Sequence, residues 1–133
     1  MREYALSRIE QDLAVTLPRR YRELMLAYPF AADSWAGDLA MPDDPDLLLE
    51  MNREHRELPA DITADVFFIG SDGRGTDYFV RLSDPWCGVA SYDTATHKTV
   101  ELTKSFDEWL SRLRSADEAP PRPDRRRWWE IWK

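Results

Sequence analysis

The stretch from Asp65 to Leu82, DVFFIGSDGRGTDYFVRL, limits what this chain can fold into more than any other. Four consecutive apolar residues, Val66 to Ile69, predict a strand covered on both of its faces. After Thr76 the side chains alternate, with Tyr78, Val80 and Leu82 on one face and Asp77, Phe79 and Arg81 on the other. Gly70, Gly73 and Gly75 lie between the strands, where the backbone needs positive φ or a close approach. The stretch reads as a hairpin with a structural turn built on Gly70, Asp72, Gly73 and Gly75. Its glycine spacing is neither a phosphate-binding loop nor a dinucleotide fingerprint. Asp72 and Asp77 are chemically suited to calcium, but the alternating Asp/Asn pattern and closing Glu of an EF-hand loop are missing.

The remaining elements arrange themselves around that hairpin. Ala5, Leu6, Ile9 and Leu13 recur at helical spacing and predict a helix over Tyr4–Ala14. Leu17-Pro18 opens a second helix, with Pro18 at its first position and Leu17, Tyr21, Leu24, Met25 and Tyr28 on one face, stopped by Pro29. A short strand is expected near Leu39–Met41. Asp44-Pro45 then signals a third helix to about Glu57, with Asp44 as its cap. A second hairpin joins Gly88–Asp93 to Lys98–Thr103 through Thr94-Ala95-Thr96, with Val100 and Leu102 facing inward. Ser105-Phe106-Asp107-Glu108 forms a capping box for a last helix carrying Phe106, Trp109, Leu110 and Leu113. The expected fold class is α+β, a mainly antiparallel sheet of four to six strands with N-terminal helices and a C-terminal helix packed on it. The domain is expected to end at residue 114. Residues 115–133 then read as a proline-rich extended linker and a tryptophan-rich tail.

These residues together resemble the SUKH superfamily of Smi/Knr-type proteins. The likeness runs from Ile9 through Leu17-Pro18 and Tyr21 to Met25, and through Asn52-Arg53 on the third helix. Its centre is Ile69-Gly70-Ser71-Asp72-Gly73-Arg74-Gly75-Thr76-Asp77-Tyr78-Phe79, followed by Tyr92-Asp93 and Ser105 to Leu110. It covers roughly residues 1–114. Two features depart from the family's pattern: Tyr28-Pro29-Phe30 stands where an Asn-Gly turn is common, and the tail has no counterpart. The resemblance implies binding and not catalysis, with no cofactor. Bacterial members are mostly immunity proteins that neutralise toxins, many of them nucleases, and eukaryotic members include regulators of cell-wall assembly and signalling.

The charge and composition fit that expectation. A formal charge of −7 over 133 residues and a pI near 4.8 disfavour nucleic acid and anionic membranes as partners and favour a basic protein. There is no signal-peptide core at the N-terminus, and the lone Cys87 fits a reducing compartment, so a cytoplasmic location is expected. Cys87 and His97 are about 20 Å apart along the expected ladder, too far for a nucleophile and base. His55, within Asn52 to Glu57, reads as part of a solvated face.

Two surfaces remain as candidate contacts. From Pro29 to Glu50 there are six carboxylates and no Lys or Arg. Asp33, Asp38, Asp43, Asp46 and Glu50 are the expected partner-binding residues, although a solvated loop with helix-start residues accounts for the same pattern. Trp128, Trp129 and Trp132, with Ile131, form the second surface. They fold back over the second face of Val66–Ile69, bind a second copy or another partner, or lie on a membrane. The acidic domain and the short segment disfavour the last of these.

Overall fold

The computed structural model describes residues 1–31, 33–55 and 65–118, and of residues 116–118 the backbone alone. Helices α1 (Glu3–Leu13), α2 (Arg19–Leu26) and α3 (Pro45–His55) precede strands β1 (Val66–Ser71), β2 (Thr76–Arg81), β3 (Val89–Asp93) and β4 (Thr99–Glu101), and α4 (Phe106–Glu118) follows them. The strands form one antiparallel sheet in the order β1-β2-β3-β4, so the fold is α+β with the strand number at the low end of the expected range.

Helix α1 buries Ala5, Leu6, Ile9 and Leu13, the apolar stripe seen in the sequence, and ends at Ala14 with φ 55°, a left-handed residue that is not glycine. Pro18 is the residue before α2 and not its first residue. Its extended ψ of 138° turns the chain into the helix, and its carbonyl accepts from Arg22 N at 3.0 Å. Arg22 ties the two helices together, pairing with Glu3 and, at 3.0 Å, with Glu10. The other Glu10 oxygen accepts from Leu17 N at 2.9 Å.

The strand expected near Leu39–Met41 is instead the end of one π-helical turn over Ala36–Ala40. Tight packing on β1 explains the difference. An ideal Cβ on Gly70 would sit 2.0 Å from Ala40 O, so the backbone of this turn lies directly against a strand that has room only for glycine. Register slips between Phe68 and Gly70, a bulge at the same place. Asp44 caps α3 as expected, accepting from Asp46 N at 3.0 Å and Leu47 N at 3.3 Å.

Asn52, buried on α3, closes the outer edge of β1. Its Oδ1 accepts from Phe68 N at 2.8 Å, and its Nδ2 donates to Phe68 O at 3.0 Å and to Leu48 O at 2.9 Å. A side chain thus takes the place of a fifth strand. The helix-side core gathers Leu6, Ile9, Tyr21, Met25, Leu48, Phe67, Ile69, Val80, Phe106 and Leu113. On the opposite face Phe68, Phe79, Ala90 and Tyr92 form a second buried cluster flanked by Met51 and Val66.

Three further expectations need correction. Val100 stands opposite Ser91 on the helix side of the sheet but is 57% exposed, because β4 is the edge strand and the helices do not reach over it. His55 is not on a solvated face: its ring stacks 3.8 Å from that of Phe68. The extended linker does not begin at Ser115, since α4 continues to Glu118; Ser-Ala-Asp-Glu contains no helix breaker, and the first proline is Pro120. The capping box at the start of α4 is present, with Glu108 N donating to Ser105 Oγ at 3.2 Å and Glu108 reaching back to Lys104 N at 2.8 Å.

Replacing Asn52 by Ala leaves two buried backbone groups of Phe68 without partners, and should cost about 2–4 kcal/mol in urea unfolding at an unchanged slope. A loss below about 0.5 kcal/mol would mean that the clasp contributes nothing net. Ala14→Gly should act in the opposite direction, raising stability by about 0.5–1 kcal/mol by relieving the left-handed alanine.

Candidate functional site

The acidic segment is held from behind by the core. Ala36, Ala40 and Met41 are fully buried, and the Tyr28 hydroxyl donates to Met41 O, so the turn that carries Asp38 is anchored on its inner side. Its carboxylates then divide into two groups. Asp43 pairs with the N-terminal ammonium at 3.0 Å, and that ammonium also donates to Met25 O at 2.6 Å. Asp44 is occupied in capping α3, and Asp46 pairs with Arg8 of α1 at 2.8 Å. Asp33, Asp38 and Glu50 are exposed and have no ion-pair partner among the described residues.

The five residues expected to form one binding surface therefore differ in what they have to offer. Asp43 and Asp46 fasten the N-terminus and α1 to the segment, while Asp33, Asp38 and Glu50 face solvent without an ion pair among the described residues. Asp33 and Asp38 lie at the π-turn, and Glu50 is one turn after Asp46 on α3. Nothing in the sequence marked this division, because Met1, Arg8 and the acidic segment meet only through the packing of α1 against α3.

The hairpin turn is held by Asp72. Its Oδ1 accepts from Arg74 N at 2.7 Å and from Thr76 N at 3.1 Å, while Ser71 Oγ accepts from Gly73 N at 2.8 Å. Gly73 and Gly75 have φ of 76° and 91°. Gly75 O in turn accepts from Thr94 N at 2.8 Å, which joins this turn to the one between β3 and β4. The Asp72 carboxylate is thus directed at its own loop. No group of three His, Cys, Asp or Glu among the described residues is placed to hold a metal ion.

One cluster was not legible in the sequence. His55 Nε2 lies 2.6 Å from Asp77 Oδ2, and both side chains are largely buried, at 13% and 15% exposure. The same imidazole meets Tyr92 edge-on at 5.6 Å, and the Tyr92 hydroxyl lies 2.6 Å from His97 Nδ1. Burial, with Asp77 and Asp93 nearby, raises the Tyr92 phenol above its usual range. The cluster pins the end of α3 to β2 and the β3–β4 turn to the sheet. Asp77, on the strand face shared with Phe79, was the one sequence signal that a polar partner sits there.

Cys87 is fully buried at φ 53° beside Asp84, which accepts from Trp86 N and Gly88 N, each at 3.0 Å. Burial, reinforced by Asp84, pushes the thiol up to about 12, so it carries no thiolate near neutral pH. A groove of about 350 Å³ between α2 and α4 is lined by Arg20, Glu23, Leu24, Asp107, Leu110 and Arg114. Arg20 spends its charge there on Glu23 and Asp107. Trp128, Trp129 and Trp132 lie outside the described residues. No helix among the described residues is long and apolar enough to cross a membrane.

Compared with protein families, residues 2–112 match the family described as SMI1 / KNR4 family (SUKH-1). Comparisons with curated proteins and with solved structures return no match.

The Cys87 geometry has a direct chemical consequence. Native protein at pH 8 should react with a thiol reagent only as fast as it opens, and fully once unfolded in denaturant. Rapid labelling of the native chain would contradict the burial. The folded chain keeps the thiol proton up to about 12, whereas the unfolded thiol releases it near 9.0, so this group makes stability fall as pH rises across that interval.

Proposed function

We propose that this chain, which belongs to the SMI1/KNR4 family (SUKH-1), is a non-enzymatic immunity protein that neutralises a cognate toxin by binding it directly. Membership supports a protein-binding module at the level of the family, and leaves immunity and cell-wall regulation undivided at that level. The observation that carries the finer reading is a set of exposed carboxylates without ion-pair partners among the described residues. Asp38 is exposed on a turn fastened to β1, Asp33 is exposed just before that turn, and Glu50 is exposed on α3.

Exposed negative charges of this kind attract a basic surface at long range and accelerate encounter before any close contact forms. A toxin that acts on nucleic acid has such a surface, because it must meet phosphates. In this reading the immunity protein occludes that surface and takes no part in chemistry. The regulatory adaptor is the alternative, and a toxin gene directly upstream of this one would argue against it.

Capture of partners from the native host, followed by rescue of cells expressing the captured toxin, tests the function itself. Failure to rescue, with a non-toxic partner in the capture, would favour the adaptor. For the surface, the triple change Asp33→Asn, Asp38→Asn and Glu50→Gln should slow association several-fold while the dissociation rate changes little. It should also flatten the dependence of association on salt. An association rate that ignores both salt and the triple change would remove the acidic segment from the interface.

A further inference from the structure

The two edges of the sheet end differently. At β1 the edge is closed: Asn52 occupies both backbone groups of Phe68, and the π-turn lies against Gly70. At β4 no described residue covers the edge. Thr99, Val100 and Glu101 are all exposed, with Val100 at 57%. Backbone groups in an antiparallel ladder alternate between facing the neighbour and facing away. Asp93 N donates to Lys98 O at 2.9 Å and Leu102 N to Val89 O at 2.9 Å, which puts Val100 in the set facing β3. The N–H and C=O of Thr99 and Glu101 therefore point outward, as a row of donors and acceptors without partners among the described residues.

The side chains around this edge have a definite chemistry. Lys98 and Lys104 flank the strand, both exposed and with no carboxylate in ion-pair range among the described residues. They are two of the three lysines in an acidic chain. The Glu101 carboxylate is already taken by Arg81 at 2.6 Å. Trp86 is 72% exposed and lies toward the Lys104 end, where its carbonyl accepts from Phe106 N at 2.9 Å.

We propose that the β4 edge is a strand-addition site for an extended segment of a partner polypeptide, apolar where it meets Val100 and acidic where it meets Lys98 and Lys104. Main-chain pairing with Thr99 and Glu101 provides the register, and the lysines select for charge. Trp86 offers the segment a large aromatic surface. Charge complementarity decides the occupant. A second copy of this chain brings two more lysines to the edge and no free carboxylate on β4 to meet them. The tail of this chain brings Arg125, Arg126 and Arg127 to an edge that is already cationic. This site rests on the sheet edge alone, so it and the acidic segment can fail separately.

The test uses the full chain, isotopically labelled for amide NMR, with two blocked peptides, Glu-Thr-Val-Thr-Val-Thr-Glu and Lys-Thr-Val-Thr-Val-Thr-Lys, whose end charges stand opposite Lys98 and Lys104 when a valine stands opposite Val100. The acidic peptide should shift the Thr99 and Glu101 amides saturably and slow their exchange, binding at least about tenfold tighter than the basic one. Glu101→Pro removes an outward N–H that β3 does not use, a substitution edge strands accept. It should abolish binding with the native amide spectrum otherwise retained, while Glu101→Ala keeps binding. Lys98→Glu with Lys104→Glu should reverse the preference between the peptides. The proposal is overturned by shifts that avoid β4, equal affinity for both peptides, or no saturation at millimolar concentration. Self-association of the free chain through β4 would also overturn it, since the occupant would then be a second copy.

Discussion

Everything on the β1 side of this molecule depends on how one buried amide meets one strand. Asn52 answers both the N–H and the C=O of Phe68 and keeps a bond to Leu48 O on its own helix. An amide side chain is the group for this, because it carries a donor and an acceptor side by side, as a neighbouring strand would. Without it, β1 would present unpaired groups to an apolar interior, where their desolvation has no compensation. The clasp also fixes the end of α3, which brings His55 onto Phe68 and into contact with Asp77.

From that edge the rest of the architecture follows. With α3 set on β1, α1 packs against α3, and Arg8 and Arg53 reach Asp46 and Asp12 across the seam. The π-turn fills the remaining length of the β1 edge, and Gly70 is small because Ala40 O occupies the space a side chain would need. The same packing that protects the edge anchors the inner side of the turn that carries Asp38. Among the described residues the far edge, β4, has no such cover.

The parts of the fold that were legible in the sequence are those with short-range causes. The apolar stripe of α1, the Asp44 cap, the Ser105–Glu108 box and the hairpin around Gly73 and Gly75 each need only a few neighbouring residues to specify them. The misread parts depend on distant partners. Leu39–Met41 looks strand-like by composition, yet it coils because Gly70 lets its backbone approach. Val100 has an inward-facing position in the alternation, yet no helix reaches it. His55 lies in a run of charges, yet it turns inward because Phe68 and, 22 residues on, Asp77 meet it from the sheet.

The candidate site divides along the same line. Sequence alone determined that residues 29–50 are acidic without a compensating cation, and that the chain carries a family signature from its first helix to its last. Composition and local spacing are enough for both. Only the tertiary structure decided which carboxylates remain free, because Met1 and Arg8 neutralise Asp43 and Asp46 across gaps that no local pattern encodes. It likewise decided which sheet edge is sealed, since that turns on a single side chain on α3 reaching the backbone of β1. Charge is a property of residues, whereas availability is a property of their neighbours in space.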